Sequence, residues 1–174
     1  MGGQEDWEAD RERNVSAQTS TGRALAATLR RPFLDADDFH SPSAVAQMAA
    51  GRPLTDADRR PWLLRLNARL RHAQPSVLAC SALKRQYRQT LRGVSLDVLF
   101  VCLHPAEPVV RARLAARAGH FMPEELLTSQ YATLELPEDG PEDGFLVLDT
   151  TDDPGPEHSA RRVADLLAAA AARP

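Results

Sequence analysis

The sequence predicts a three-layer α/β fold built on a parallel sheet. Residues 77–80 form an unbroken apolar run, the pattern of a strand buried on both faces, and residues 96–103 and 145–149 read as further buried strands. Segments with helical spacing alternate with these runs, so successive strands are joined by crossovers and lie parallel. Ser81, Ala82 and a basic stretch with Lys84, Arg85 and Arg88 follow the first run at once. They fall at the carboxyl end of its strand, where open α/β sheets hold their ligands. At 174 residues and 43% hydrophobic content, the chain is expected to form one domain with one core.

Residues 1–13 carry one large apolar side chain, Trp7, among dense mixed charge. They cannot supply a buried strand and are expected to be disordered or loosely helical. Their acidic, polar character is unlike a signal peptide. Residues 14–21 are small and polar. Residues 22–31 have helical spacing through Ala24, Leu25, Ala27 and Leu29, and Pro32 ends that helix. In residues 33–40 two apolar positions lead into three carboxylates and a histidine. This predicts a short strand whose polar end projects Asp35, Asp37 and His40 toward a ligand. The competing reading is a capping cluster for the helix that Ser41 and Pro42 start. Three Asp with a His are dense for capping alone, which favours a ligand. Gly51 closes that helix.

Thr55 with Asp58 three residues later is a near capping box. It opens a helix to about residue 71, with Leu63, Leu66 and Leu70 on one face. Arg59 and Arg60 lie in its first turn. Basic residues are mildly unfavourable there, which hints at another reason for them. Lys84 and Arg88 are four apart and would share a helix face. Two cations above a turn of small residues, Ser81 among them, make a natural place for an anionic substrate; the plainer alternative is a solvated basic face. Cys80 and Cys102 lie in apolar runs and read as reduced core residues of a cytosolic protein, with no second Cys or His at ligand spacing.

Residues 105–117 predict a helix carrying Arg111, Arg113 and Arg117, broken at 119–123 and followed by a second helix over 124–131. Such an Arg-studded hairpin suits a lid that closes cations over phosphates, or else a solvated face. Residues 133–144 form an acidic, Pro-rich loop, and a helix over 159–172 ends the chain. The net charge of −3 gives no electrostatic case for a nucleic-acid partner. Nothing reaches the ~18 consecutive apolar residues of a membrane helix.

Five stretches together resemble the gluconokinase family: F-L-D-A-D-D-F-H at 33–40, G-R-P-L-T-D-A-D-R-R-P-W-L at 51–63, V-L-A-C-S-A-L-K-R-Q-Y-R at 77–88, R-L-A-A-R-A-G-H-F-M-P at 113–123 and L-L-T-S-Q-Y-A-T-L-E at 126–135. The resemblance implies a P-loop kinase fold like that of nucleoside monophosphate kinases, with a helical lid over about 111–131. It implies ATP and Mg²⁺ as cofactors, D-gluconate as acceptor, 6-phospho-D-gluconate as product, a cytoplasmic setting and a possible homodimer. It makes Asp37, Lys84, Arg113 and Arg117 the catalytic candidates. Asp35, His40, Arg59, Ser81, Arg88, His120 and Gln130 become the substrate-binding candidates. A nucleoside monophosphate kinase shares the fold and lid, but the stretches at 33–40 and 77–88 look like the gluconate enzymes.

One part of the family pattern is absent. The family opens with a buried strand running into G-x-x-x-x-G-K-[ST], whose backbone N–H groups cradle phosphates and whose Lys reaches the β and γ oxygens. Here Ala17-Gln18-Thr19-Ser20 stands in the Gly-Lys-Ser/Thr place, or, in a gapped register, Asn14-Val15-Ser16-Ala17 mimics the first residues of the loop. No Gly lies inside that stretch and no Lys precedes residue 84. Residues 1–21 are therefore expected to be disordered or a degenerate P-loop region ahead of a single domain over 22–174. The middle strand of the sheet is expected to be defective or missing. Residues 16–20 remain the nucleotide candidates, and Thr19 with Asp37 the Mg²⁺ candidates. Three explanations stay open: a misplaced start or alternative exon with a true loop upstream, a paralogue that binds a sugar acid or a protein without turnover, or another group in place of the Lys.

Overall fold

The computed structural model describes residues 17–93, 97–115, 124–136 and 144–172. The order is α1 (Ala17–Leu29), β1 (Phe33–Asp35), a 3₁₀ turn (Ala36–Phe39), α2 (Pro42–Ala49), α3 (Asp56–His72), β2 (Val77–Ala79), α4 (Arg85–Arg92), β3 (Phe100–Leu103), α5 (Glu107–Ala115), α6 (Glu124–Thr133), β4 (Phe145–Leu148) and α7 (Pro156–Ala171). The expected loop or disorder over residues 1–16 lies outside the described residues.

Helix α1 begins at Ala17, not at Gly22. Its first turn is polar, so apolar spacing does not reveal it, yet its side chains find partners. Gln18 Nε2 donates to Cys80 O at 2.6 Å, and Thr19 Oγ1 donates to Asp35 Oδ2 at 3.3 Å. Gly22 lets this helix approach β1 and β2 closely. A Cβ there would sit 2.9 Å from the Phe33 ring and 3.5 Å from the Ala79 Cβ, so any larger residue forces the ring to move.

The strands pair in parallel, β1 with β2 and β3 with β4, in the registers Leu34–Leu78 and Val101–Leu146. Among the described residues no strand joins the two pairs. The hydrogen bonds show which edges face outward. Val77 N donates to Pro32 O at 2.9 Å, so Val77 and Ala79 turn their backbone groups to β1, and Leu78 and Cys80 turn theirs away. Phe100 N donates to Gly144 O at 2.7 Å and His104 N to Leu148 O at 2.9 Å, which leaves Val101 and Leu103 on the opposite edge of β3. The amide of Gln18 therefore fills an edge carbonyl that a neighbouring strand would otherwise take. Among the described strand residues only Ala79 and Leu148 are buried. Parallel strands are normally covered on both faces.

Both pairs pack on one core. Trp62, Leu63 and Leu66 of α3 meet Tyr87 and Leu91 of α4, with Leu78 and Cys80 from β2 and Phe100 from β3 against them. Helix α3 starts as its sequence dictates. Thr55 Oγ1 accepts from Asp58 N at 3.2 Å while Asp58 Oδ2 accepts from Thr55 N at 2.9 Å, a complete capping box. Helix α1 packs along α7 and against β1 and β2. Among the described residues no helix is long and apolar enough to cross a membrane.

Candidate functional site

The candidate residues meet where β1 and β2 end. Asp35 is both cap and partner: its Oδ1 accepts from Asp37 N at 3.1 Å, starting the 3₁₀ turn, while its Oδ2 holds the Thr19 hydroxyl. Ser41 caps α2, accepting from Ala44 N at 3.2 Å. The acidic cluster thus divides its work between capping and display, because Asp37 leaves that turn with its side chain 73% exposed. The carboxylates of Asp35 and Asp37 and the cation of Arg59 all lie close enough to act on the Cys80 thiol, just past the end of β2. That thiol is pushed up to about 12, by burial first and the two carboxylates second, and is not a nucleophile.

His40 lies flat on Trp62, with ring centroids 4.5 Å apart and 7° between planes. Its Nε2 is 3.9 Å from Asp37 Oδ1, and its Nδ1 is buried without a hydrogen-bond partner among the described residues. Burial, then the cations of Arg59 and Arg65, lowers its pKa below 6.5, so the imidazole is neutral at pH 7. Below pH 6.5 the unfolded chain binds a proton at this histidine that the folded chain resists, so stability falls as pH drops through that value. His40→Phe keeps the stack and removes the titration. Melting curves between pH 5 and 7 are expected to show a shallower loss for this variant than for the wild-type chain; equal slopes would contradict the neutral imidazole.

Arg59, in the first turn of α3, places its guanidinium 5.8 Å from the Tyr87 ring centroid and donates Nε–H to Leu54 O at 3.4 Å. Lys84, the only lysine of the chain, sits 5.7 Å from the same ring. Its ammonium already has a partner. Lys84 Nζ lies 2.9 Å and 2.8 Å from the two oxygens of Asp56, which also accepts from Gln86 Nε2 at 2.8 Å and from the Tyr87 hydroxyl. These bonds, led by Lys84 and Tyr87, pull the Asp56 carboxyl down to about 2. The link therefore holds above the ordinary value of 3.8 and is lost only as pH falls toward 2.

Ser81 is exposed on the turn between β2 and α4. Arg88 is on the buried face of α4. It is 2% exposed, donates to Ala82 O at 3.2 Å, Leu83 O at 3.0 Å and Glu135 O at 2.9 Å, and stacks 4.5 Å from the Phe145 centroid. The four-residue spacing from Lys84 misleads because Lys84 is the cap of α4, not a residue of its helix. Gln130 is exposed on α6. That helix is tied to the start of α5: the Tyr131 hydroxyl donates to Pro105 O at 2.8 Å, and Arg111 Nη2 donates to Thr128 Oγ1 at 3.0 Å. Arg113 lies on α5. Ser16, Arg117 and His120 lie outside the described residues.

The two halves of the site fit ligands differently. Around β1 and β2, Arg59, His40, Asp37 and Ser81 bring a cation, a neutral ring, a carboxylate and a hydroxyl. At the start of α1, Ala17, Gln18, Thr19 and Ser20 bring hydroxyls and an amide but no cation, and the amide is engaged by β2. Residues 17–20 thus offer a triphosphate no cation. Among the described residues no three His, Cys, Asp or Glu side chains gather to hold a metal ion. Thr19 with Asp35 is the pair closest to a Mg²⁺ donor set, and such sites complete their coordination with substrate phosphates.

No protein-family model matches the chain. It is 44% identical over 128 residues to the gluconokinase of Gluconobacter oxydans (strain 621H), covering 71% of this chain and 72% of that protein. It is 42% identical over 127 residues to the thermosensitive gluconokinase of Escherichia coli (strain K12), covering 71% and 68%. Among solved structures, a gluconokinase from Sinorhizobium meliloti 1021 superposes with a TM-score of 0.74 at 37% identity, over 90% of this chain and 92% of that one. An unliganded sugar kinase from Janibacter sp. HTCC2649 superposes with a TM-score of 0.75 at 41% identity, over 88% and 90%.

Proposed function

The chain belongs to the gluconokinase family, and from that premise we propose that its ligand is D-gluconate, the acceptor that ATP phosphorylates to 6-phospho-D-gluconate in this family. The observation that carries this reading is the cluster at the ends of β1 and β2: Arg59, the neutral His40 and the exposed Asp37 around one turn. Arg59 pairs the carboxylate of the sugar acid, and its planar fork suits a two-oxygen partner. Neutral His40 donates or accepts a hydrogen bond to the polyol without adding charge. Asp37 accepts from a sugar hydroxyl and orients it. Lys84 contributes by holding the turn through Asp56, since its charge is already matched there.

ATP and Mg²⁺ complete the family reaction, but the start of α1 lacks the cation that would hold a triphosphate. In this reading the chain keeps the acceptor half of a gluconokinase and has lost most of the donor half.

Thermal denaturation with D-gluconate and with AMP tests it. D-gluconate is expected to raise the melting temperature and AMP to leave it unchanged. Arg59→Met should weaken D-gluconate by about 10-fold or more, since a charge-assisted hydrogen bond is worth about 1.5–3 kcal/mol. A shift with AMP and none with D-gluconate would overturn the assignment.

A further inference from the structure

Helix α4 begins without a side-chain cap of its own. Its cap residue is Lys84, which makes no capping bond. Its first residues, Arg85 and Arg88, add positive charge where a helix N-terminus already carries partial positive charge. Such a start needs anionic help, and it comes from fifty residues away. Glu135, just beyond α6, accepts from Arg85 N through Oε2 at 2.6 Å. Its own N–H donates to Leu83 O at 3.0 Å, and its carbonyl accepts from Arg88 Nη2 at 2.9 Å. One residue thus grips the turn by side chain, amide and carbonyl. Asp56 grips the same turn through Lys84, Gln86 and Tyr87.

We propose that Glu135 is a positioning residue for the sugar-acid site: it caps α4 from outside and holds the Ser81–Lys84 turn in the geometry that presents it to the acceptor. Glu135 touches no substrate and acts through Arg85, Leu83 and Arg88. The capping side chain is the replaceable part of the grip, because the amide and carbonyl bonds belong to the backbone and survive substitution. The turn is short and otherwise exposed at Ser81, so losing the cap loosens it locally and leaves the core of Leu66, Leu91 and Val163 intact. The role toward D-gluconate rests on the acceptor reading above; the clamp itself does not.

Two measurements on the full chain decide it, using Glu135→Ala and Glu135→Gln. Amide hydrogen exchange reads the clamp with no ligand present, and calorimetry with D-gluconate reads the site. Glu135→Ala is expected to speed exchange at residues 83–88 by about 5- to 10-fold, the effect of losing one cap, with the rest of the chain unchanged. It should weaken D-gluconate by a similar factor. Glu135→Gln keeps an acceptor for Arg85 N and should recover most of both. Unchanged exchange at Arg85, or a rise spread over the whole chain, would overturn the clamp. Faster exchange with unaltered D-gluconate affinity would overturn the positioning role. If the wild-type chain takes up no D-gluconate, the positioning role falls with the acceptor reading, while exchange at Arg85 still decides whether the cap exists.

Discussion

Given ATP, Mg²⁺ and D-gluconate in a coupled assay, this chain is expected to turn over at least about 10³-fold more slowly than a version with a restored phosphate loop. Phosphoryl transfer asks little covalent chemistry of a protein. It depends on positioning and on charge placed where charge develops. Removing a single preorganised donor costs on the order of 10²–10³ in rate. In this chain a lysine and the glycine-lined N–H cradle are missing together. Gln18, in the place of that lysine, donates to Cys80 O, toward the sheet. Gln18→Lys alone should restore little, because the backbone cradle is still absent. The version that should recover activity replaces residues 1–18 with an apolar strand leading into a Gly-rich loop that ends in Gly-Lys. The new strand would also meet the edges that face away from β1 and β4, at Leu78 and Cys80 on one side and Val101 and Leu103 on the other. Comparable turnover by the unmodified chain would contradict the loss of the donor half.

Replacing Arg88 should have the largest effect on stability. Arg88→Met is expected to lower the free energy of unfolding by about 3–5 kcal/mol, read from urea denaturation. The guanidinium is nearly fully buried and serves the carbonyls of Ala82, Leu83 and Glu135. Methionine fills much of the volume over Phe145 but takes a donor from all three carbonyls; Leu83 O keeps Glu135 N, and each hydrogen bond lost to a charged group is worth about 1.5–3 kcal/mol. Arg88→Lys should also destabilise. An ammonium keeps the charge, but it cannot span three acceptors laid out for a planar fork. A loss below about 1 kcal/mol for Arg88→Met would show that the turn and the segment after α6 do not depend on it.

Gln18 and Arg88 also mark where the sequence is legible and where it is not. Local rules work where partners are close in sequence. The Thr55–Asp58 spacing announces the start of α3, Gly51 the end of α2, and the apolar run at 77–80 the strand beneath the site. The alternation of apolar runs and helical segments announces parallel strands, and β1 with β2 and β3 with β4 pair in parallel. Arg88 reads as a pocket cation because four-residue spacing joins it to Lys84. Lys84 lies outside the helix, so that rule does not apply, and the buried face of α4 carries Tyr87, Arg88 and Leu91 inward. Asp56 and Glu135 escape a sequence reading because their partners are 28 and 50 residues away and no local pattern encodes such bonds. The start of α1 is hidden for a related reason. Hydrogen bonds to Cys80 and Asp35 anchor its first turn, and they leave no apolar spacing to detect.

The most direct measurement is a pair of calorimetric titrations of the unmodified chain, one with D-gluconate and one with Mg²⁺ and ATP. Saturable one-to-one uptake of the sugar acid with no heat from the nucleotide at the same concentration is the predicted result. Nucleotide uptake without D-gluconate uptake would mean that the cluster of Arg59, His40 and Asp37 is not an acceptor site and that the cradle at α1 has survived after all.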